Sequence, residues 1–251
     1  MSLQTSLQTI FQTIEFSEQN EVATITLLED TSTMKMIKEL TKACDYLEDD
    51  SKCSVLELQG TTSCFNRGLN FTEFQPEQPM DINGFHKWEK ICVRLERLRM
   101  ITIAVLQGDV IGGGFQLALC TDLRIATPSA KFSLPEVKMG FLPGMAVYRL
   151  AKYIGLGHAK RLVLQGETIR AEKAQDLGIV DIITEDIPNA IQASVQRFQP
   201  LHPITVQLAR RLLNESFHDS YEDAIGHFLA AQQRAISQDC FSETIKKKQE
   251  E

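Results

Sequence analysis

Glycines carry the first chemical signal in this chain. Gly112, Gly113 and Gly114 follow one another inside the stretch Gly108 to Ala118, between a buried-type strand and a segment with helical spacing. Without Cβ atoms the backbone there can approach a ligand closely, and a helix start presents unpaired N–H groups to developing negative charge. Those are the requirements of an oxyanion hole, although a glycine run at a strand-to-helix turn also serves plain close packing. A second strand-to-loop transition, Ser63 to Phe74, holds a central glycine, Gly68, beside Arg67.

Together the two segments resemble the paired signatures of the enoyl-CoA hydratase/isomerase (crotonase) superfamily. Phe65, Gly68 and Phe71 fit the first signature, whereas Asn66, Arg67 and Asn70 replace its small, small and acidic residues. The resemblance continues through Thr121 to Ala126, Ala130 to Gly144, Gly166 and Ala174 to Asp181, and so spans most of the chain. It implies that the backbone N–H groups of Leu69 and Gly113 are oxyanion donors for an acyl thioester. Each such donor is worth about 2.7–4 kcal/mol to a developing oxyanion.

Hydratases of this superfamily carry two carboxylates that hold or activate water. Here their positions align with Gln116 and Glu136. A glutamine cannot exchange a proton near neutral pH, so the resemblance leaves Glu136 as the candidate general acid/base and Gln116 as its neutral companion. Superfamily members lacking an acid isomerise, decarboxylate, form carbon–carbon bonds or assist polyketide pathways. Gly114-Phe115-Gln116 is similar to the matching stretch of carboxymethylproline synthases, and His86 to Leu98 with Pro143 to Ala146 resembles the accessory crotonase of dihydroxyphenylglycine biosynthesis. The implied function is an enoyl-CoA hydratase/dehydratase or isomerase stabilising an enolate. The alternative is a decarboxylase or weakly catalytic accessory protein of secondary metabolism.

Three further residue groups have both a functional and a bland reading. Arg67 meets a substrate carboxylate or cofactor phosphate, or else tethers its loop from outside. His86 lies in the segment that lines the acyl pocket of crotonases, so with Gly68 and Arg67 it joins the candidate substrate contacts. Lys246, Lys247 and Lys248 either reach a terminal phosphate of coenzyme A or form a solvated tail. No histidine or cysteine has metal-ligand spacing, and no GxSxG motif supports a serine hydrolase.

The elements that must position these residues follow from periodicity. Strands are expected at Val22–Leu28, Val55–Leu58, Ile101–Leu106, Asp122–Ala126 and Ile179–Ile183. Helices are expected at Thr33–Leu47, Phe85–Leu98 and Gly113–Cys120. After Gly144 they follow at Met145–Ile154, His158–Leu164, Ala171–Leu177, Ile187–Phe198, Ile204–Asn214 and Tyr221–Ile236. The loop from Gln75 to Gly84, with two prolines, is a candidate lid. Alternating strands and helices imply an α/β fold with a parallel sheet. The resemblance specifies it as a crotonase (ClpP/crotonase-like) ββα superhelix, with a core over 1–190 and a helical oligomerisation region over 191–251 that builds a homotrimer or hexamer.

Composition sets the outer limits. Hydrophobic residues make up 43% of the 251 positions and charged residues 24%, as in ordinary globular chains. A formal net charge of -7 disfavours nucleic acid as a partner. Six cysteines without a CxxC pair read as reduced thiols of a cytoplasmic protein, and no stretch has the length of apolar residues a membrane helix needs. By the resemblance no cofactor is bound permanently. Coenzyme A or phosphopantetheine arrives as part of the acyl-CoA or acyl-carrier-protein thioester.

Overall fold

The computed structural model describes residues 11–73 and 82–250. The expected lid lies mostly outside them; only Ile82, Asn83 and Gly84 are described, as the start of a helix. β1 (Ile14–Gln19) and β2 (Val22–Leu27) form a hairpin across Asn20 and Glu21, whose φ angles of 52° and 63° give the turn the twist a hairpin requires. α1 (Met34–Asp49) begins where the Thr33 hydroxyl accepts the Met36 N–H at 3.1 Å.

From there the chain repeats one unit: a strand in a first sheet, a short strand turned into a second, then a helix. β3 (Val55–Gln59) leads to β4 (Cys64–Asn66) and α2 (Ile82–Arg97). β5 (Ile101–Leu106) leads to β6 (Asp109–Ile111) and α3 (Gly113–Leu119). β7 (Leu123–Ala126) leads to β8 (Lys131–Ser133), a 3-10 turn at Glu136–Met139 and α4 (Ala146–Gln165), which is broken at Gly155. β9 (Thr168–Arg170), α5 (Ala171–Asp176), β10 (Ile182–Ile183), α6 (Ile187–Phe198), α7 (Pro203–Glu215), α8 (Tyr221–Ile236) and α9 (Asp239–Glu250) follow.

The first sheet has the order β1-β2-β3-β5-β7-β10 and is parallel apart from the β1/β2 hairpin. The second has the order β4-β6-β8-β9, with only β9 antiparallel. This is the expected α/β fold built from ββα turns. Period-2 alternation gives the first sheet two apolar faces: Leu56, Leu58, Ala104 and Leu106 join the main core, while Val55, Ile101, Ile103 and Ile125 pack with Val195 and its neighbours on α6. Residue 190 lies within α6. Among the described residues no helix is long and apolar enough to cross a membrane.

Several elements depart from the sequence reading. The three-residue strands β4, β6, β8 and β9 are too short to show a period, and β1 and α9 also escaped it. The extended run expected at Ile179–Ile183 pairs only at its last two residues. The helices expected at 145–154 and 158–164 are one run interrupted at Gly155, whose φ of 73° breaks the helical path.

The second sheet positions the site. Its parallel register pairs Asn66 with Val110 and Ile111 with Ser133, so the loops that follow β4, β6 and β8 leave the same sheet end side by side. In α/β sheets that end is where ligands bind.

An ion pair made by a buried arginine ties the helical last third to this core. Arg210 on α7, 6% exposed, reaches Asp122 at 2.7 Å and donates to the Leu95 and Leu98 carbonyls; Asp122 in turn accepts the Thr102 N–H and hydroxyl. Removing one partner of such a pair leaves a buried charge uncompensated. Asp122→Ala is therefore expected to destabilise the protein by about 3 kcal/mol, measured as a lowered urea midpoint, whereas an exposed carboxylate such as Asp49→Ala should leave that midpoint nearly unchanged.

Candidate active site

The two glycine segments meet in space. A Cβ added to Gly68 would lie 3.0 Å from the Gly113 nitrogen, and Gly68 has a φ of 82° that side chains rarely tolerate. Asn66, completely buried, braces this loop: its Oδ1 accepts the Gly68 N–H at 2.8 Å and the Ser32 hydroxyl at 3.1 Å. Ser32 donates its N–H to the Gly68 carbonyl and accepts the Asn70 N–H, bonds that flank Leu69 and leave the Leu69 N–H turned to the other side. Leu69 and Gly113 both line a cavity of about 590 Å³, a size that suits a small-molecule ligand.

The departures from the first signature thus have structural work. Arg67, half exposed, donates from Nε to Asp109 at 2.9 Å and from Nη1 to Asp30 at 2.8 Å, and it does not line the cavity. Its guanidinium clips the Gly68 loop to β6, which is the tether reading of this residue; the substrate-contact reading places it where the cavity is not. His86 also lies outside. On α2 the residues Phe85, Trp88 and Glu89, spaced i, i+3 and i+4, face the cavity, while His86 is turned out to solvent. Lys246, Lys247 and Lys248 sit on α9 and do not line the cavity.

Glu136 and Gln116 are brought together on the cavity wall. Glu136 opens the 3-10 turn after β8 and is 5% exposed; its Oε2 has no hydrogen-bond partner among the described residues. Its Oε1 lies 2.4 Å from where a Cβ on Gly112 would be, and Gly112 has φ 56° and ψ -122°, so only glycine admits both this backbone and this carboxylate. Burial raises the Glu136 carboxyl above its ordinary value. Gln116, 2% exposed on α3, donates Nε2–H to Glu89 Oε2 at 2.6 Å; a carboxylate only accepts here, so the amide nitrogen must face it.

Sequence reasoning missed Glu89, Trp88 and Arg149. Arg149 on α4, 5% exposed, reaches Glu89 Oε1 at 2.6 Å and Glu96 Oε1 at 2.8 Å. Spacing alone shows that Glu89 and Glu96, seven residues apart, share one face of α2, but not that Arg149 meets them there. Trp88 has a buried indole N–H without a hydrogen-bond partner among the described residues, beside Gly113, where a Cβ would lie 3.4 Å from Nε1. Away from the cavity, Glu215, Asp219 and His227 bring potential ligand atoms within 4.8 Å of one another, with Arg211 already on Glu215 and His227 on Asp219.

Known proteins are similar to this chain in sequence and in fold. The sequence model of the family described as enoyl-CoA hydratase/isomerase matches residues 17–251. An enoyl-CoA hydratase of Amycolatopsis orientalis is 31% identical over 209 residues, covering 82% of this chain and 91% of its own. A short-chain-enoyl-CoA hydratase of Clostridium acetobutylicum is 27% identical over 234 residues, covering 90% and 88%. The crystal structure of an enoyl-CoA hydratase from Bacillus anthracis superposes with a TM-score of 0.88 at 23% identity, over 95% of this chain and 96% of that one.

The raised Glu136 carboxyl has a measurable consequence for stability. Because the folded state holds this proton more tightly than the unfolded state, its contribution is fully present below the unfolded carboxylate value and is lost as pH rises through the folded one. Glu136→Gln removes the buried charge and is expected to raise the melting temperature at neutral pH. That gain should shrink toward zero as pH falls below the ordinary carboxylate range; a gain that is the same at both pH values contradicts the assignment.

Proposed function

Because the chain belongs to the enoyl-CoA hydratase/isomerase family, we propose that its cavity receives the acyl end of a coenzyme A thioester and that Glu136 moves the proton at Cα. The carrying observation is a buried carboxylate oxygen, without a hydrogen-bond partner among the described residues, on the wall that also presents Leu69 and Gly113. Taking a proton from Cα places negative charge on the thioester oxygen, and two backbone N–H groups aimed there stabilise the enolate. Burial suits Glu136 to the task, since a carboxyl raised toward neutral pH both accepts and returns a proton effectively.

The same step serves hydration, dehydration and double-bond isomerisation of an enoyl thioester. Decarboxylation is less well supported: the ionisable side chains on the cavity wall are Glu89 and Glu136, with no cationic side chain among the described lining residues, so a carboxylated acyl group would meet like charge. The apolar walls, among them Leu69, Phe85, Phe141, Leu142, Met145 and Val147, favour a hydrocarbon acyl chain instead. The pantetheine arm is common to coenzyme A and carrier proteins, and the enoyl-CoA names of the relatives favour the former. Exposed Phe217, Tyr221, Phe228 and Leu229 on and before α8 support assembly into a homotrimer or hexamer. Buried free thiols support a cytoplasmic setting.

Solvent-deuterium incorporation into butyryl-CoA, followed by mass spectrometry, tests the shared step. Wild type should exchange the Cα protons, and Glu136→Gln should do so about 100-fold more slowly or worse while binding the thioester almost as well. A variant that exchanges like wild type sinks the role of Glu136, and a wild type that binds without exchanging favours the accessory-protein reading.

A further inference from the structure

Gln116 occupies the position of the superfamily's first carboxylate, yet the site has not lost a second acid. The amide donates to Glu89, which enters from the neighbouring helix and lines the same cavity as Glu136. Arg149 holds Glu89 in place with Nη2 at 2.6 Å from Oε1 and Nη1 at 3.2 Å from Oε2. A carboxylate offers about four acceptor sites. Three are used by these donors among the described residues, which leaves one on Oε1.

We infer that Glu89 is the water-holding carboxylate of a hydration reaction, supplied by α2 in place of the acid that Gln116 replaces. The inference rests on the enolate chemistry proposed for Glu136. One O–H of the water donates to Glu89 and the other to Glu136. As the water oxygen bonds to Cβ of the enoyl thioester, the Cα=Cβ electrons move onto the thioester oxygen and Glu136 takes the proton the water loses. Glu136 then returns that proton to Cα as the enolate collapses. One water has been added, with its hydroxyl on Cβ and its hydrogen on Cα, and both carboxylates end as they began. Glu89 needs only to accept a hydrogen bond, a role compatible with its clamp on Arg149.

The arrangement also accounts for the amide. A glutamate at 116 would set a second carboxylate against Glu89 at the 2.6 Å now spanned by a hydrogen bond, and like charges at that range do not both ionise.

Two readouts on the full-length protein separate this role from that of Glu136: hydration of crotonyl-CoA and deuterium exchange into butyryl-CoA, which requires no bound nucleophilic water. Glu89→Gln is expected to lower kcat for hydration about 100-fold, at least tenfold more than it lowers exchange, with KM changed little. Gln116→Glu should also lower hydration. The swap E89Q/Q116E, which keeps one carboxylate and one amide in the pair that now meets on the cavity wall, should recover at least tenfold over E89Q. Equal loss of hydration and exchange in E89Q would mean that Glu89 merely supports the fold or Glu136, and would overturn the assignment; so would retained hydration. If E89Q does not fold, the swap carries the test, and a folded swap no better than a hydration-inactive protein overturns the equivalence of the two positions. A wild type that exchanges but hydrates no enoyl thioester overturns the role of Glu89 alone, while one that does neither overturns the enolate reading with it.

Discussion

The site depends on two stretches of backbone touching with no side chain between them. A Cβ at Gly114 would lie 2.3 Å from the Asn66 carbonyl oxygen, and one at Gly68 would lie 3.0 Å from the Gly113 nitrogen. Contacts that close are available only to glycine, so each glycine fixes the spacing between the β4 loop and the start of α3. The register of the second sheet brings the loops to the same end, and Arg67 fastens the first to Asp109 on β6. The relative placement of the Leu69 and Gly113 N–H groups is set by this contact, and main chain rather than side chain therefore fixes the geometry of that part of the wall.

Charge is distributed unevenly around that backbone. Arg149 is buried and committed to two carboxylates, Glu89 and Glu96, so the cost of taking its guanidinium out of water is offset by several hydrogen bonds. Glu136 has no ion-pair partner among the described residues. Burial outweighs a hydrogen bond to its own backbone and raises its carboxyl, a condition that disfavours the folded state at neutral pH. Two carboxylates on one wall are thereby placed in contrasting surroundings, one clamped and one desolvated.

Much of this was legible in the sequence because its causes are local. The strand at Ile101–Leu106 and the helices at Ile187–Phe198 and Tyr221–Ile236 follow periodicity with the observed bounds. The glycine triplet and Glu136 were found through spacing within one segment and a resemblance spanning most of the chain. What escaped depends on contacts between segments distant in sequence. Glu89 and Arg149 are 60 residues apart, and nothing local marks the pair. His86 and Glu89 lie on the same helix, and only the helix's rotation about its axis, set by Trp88, Ile91, Cys92 and Leu95 packing inward, decides which of them faces the cavity. The short strands of the second sheet are defined by their pairing, since three residues hold too little pattern to identify them.

Gln116 is best understood from its neighbours rather than from the residue it replaces. It is almost completely buried between Glu89 and Gly144, with Nε2 on the carboxylate and Oε1 2.6 Å from where a Cβ on Gly144 would be. An amide is the one side chain of glutamate's shape that offers Glu89 a donor at neutral pH without requiring a proton of its own. Once a carboxylate approaches from α2 with an arginine behind it, a second carboxylate on α3 would have to be protonated or displaced, and the amide relieves that conflict at nearly constant volume. The wall thus carries two acids, Glu136 after β8 and Glu89 from α2, with the Gln116 amide of α3 donating to the second. A motif read on α3 alone counts an acid as missing when the neighbouring helix has brought one to the same cavity.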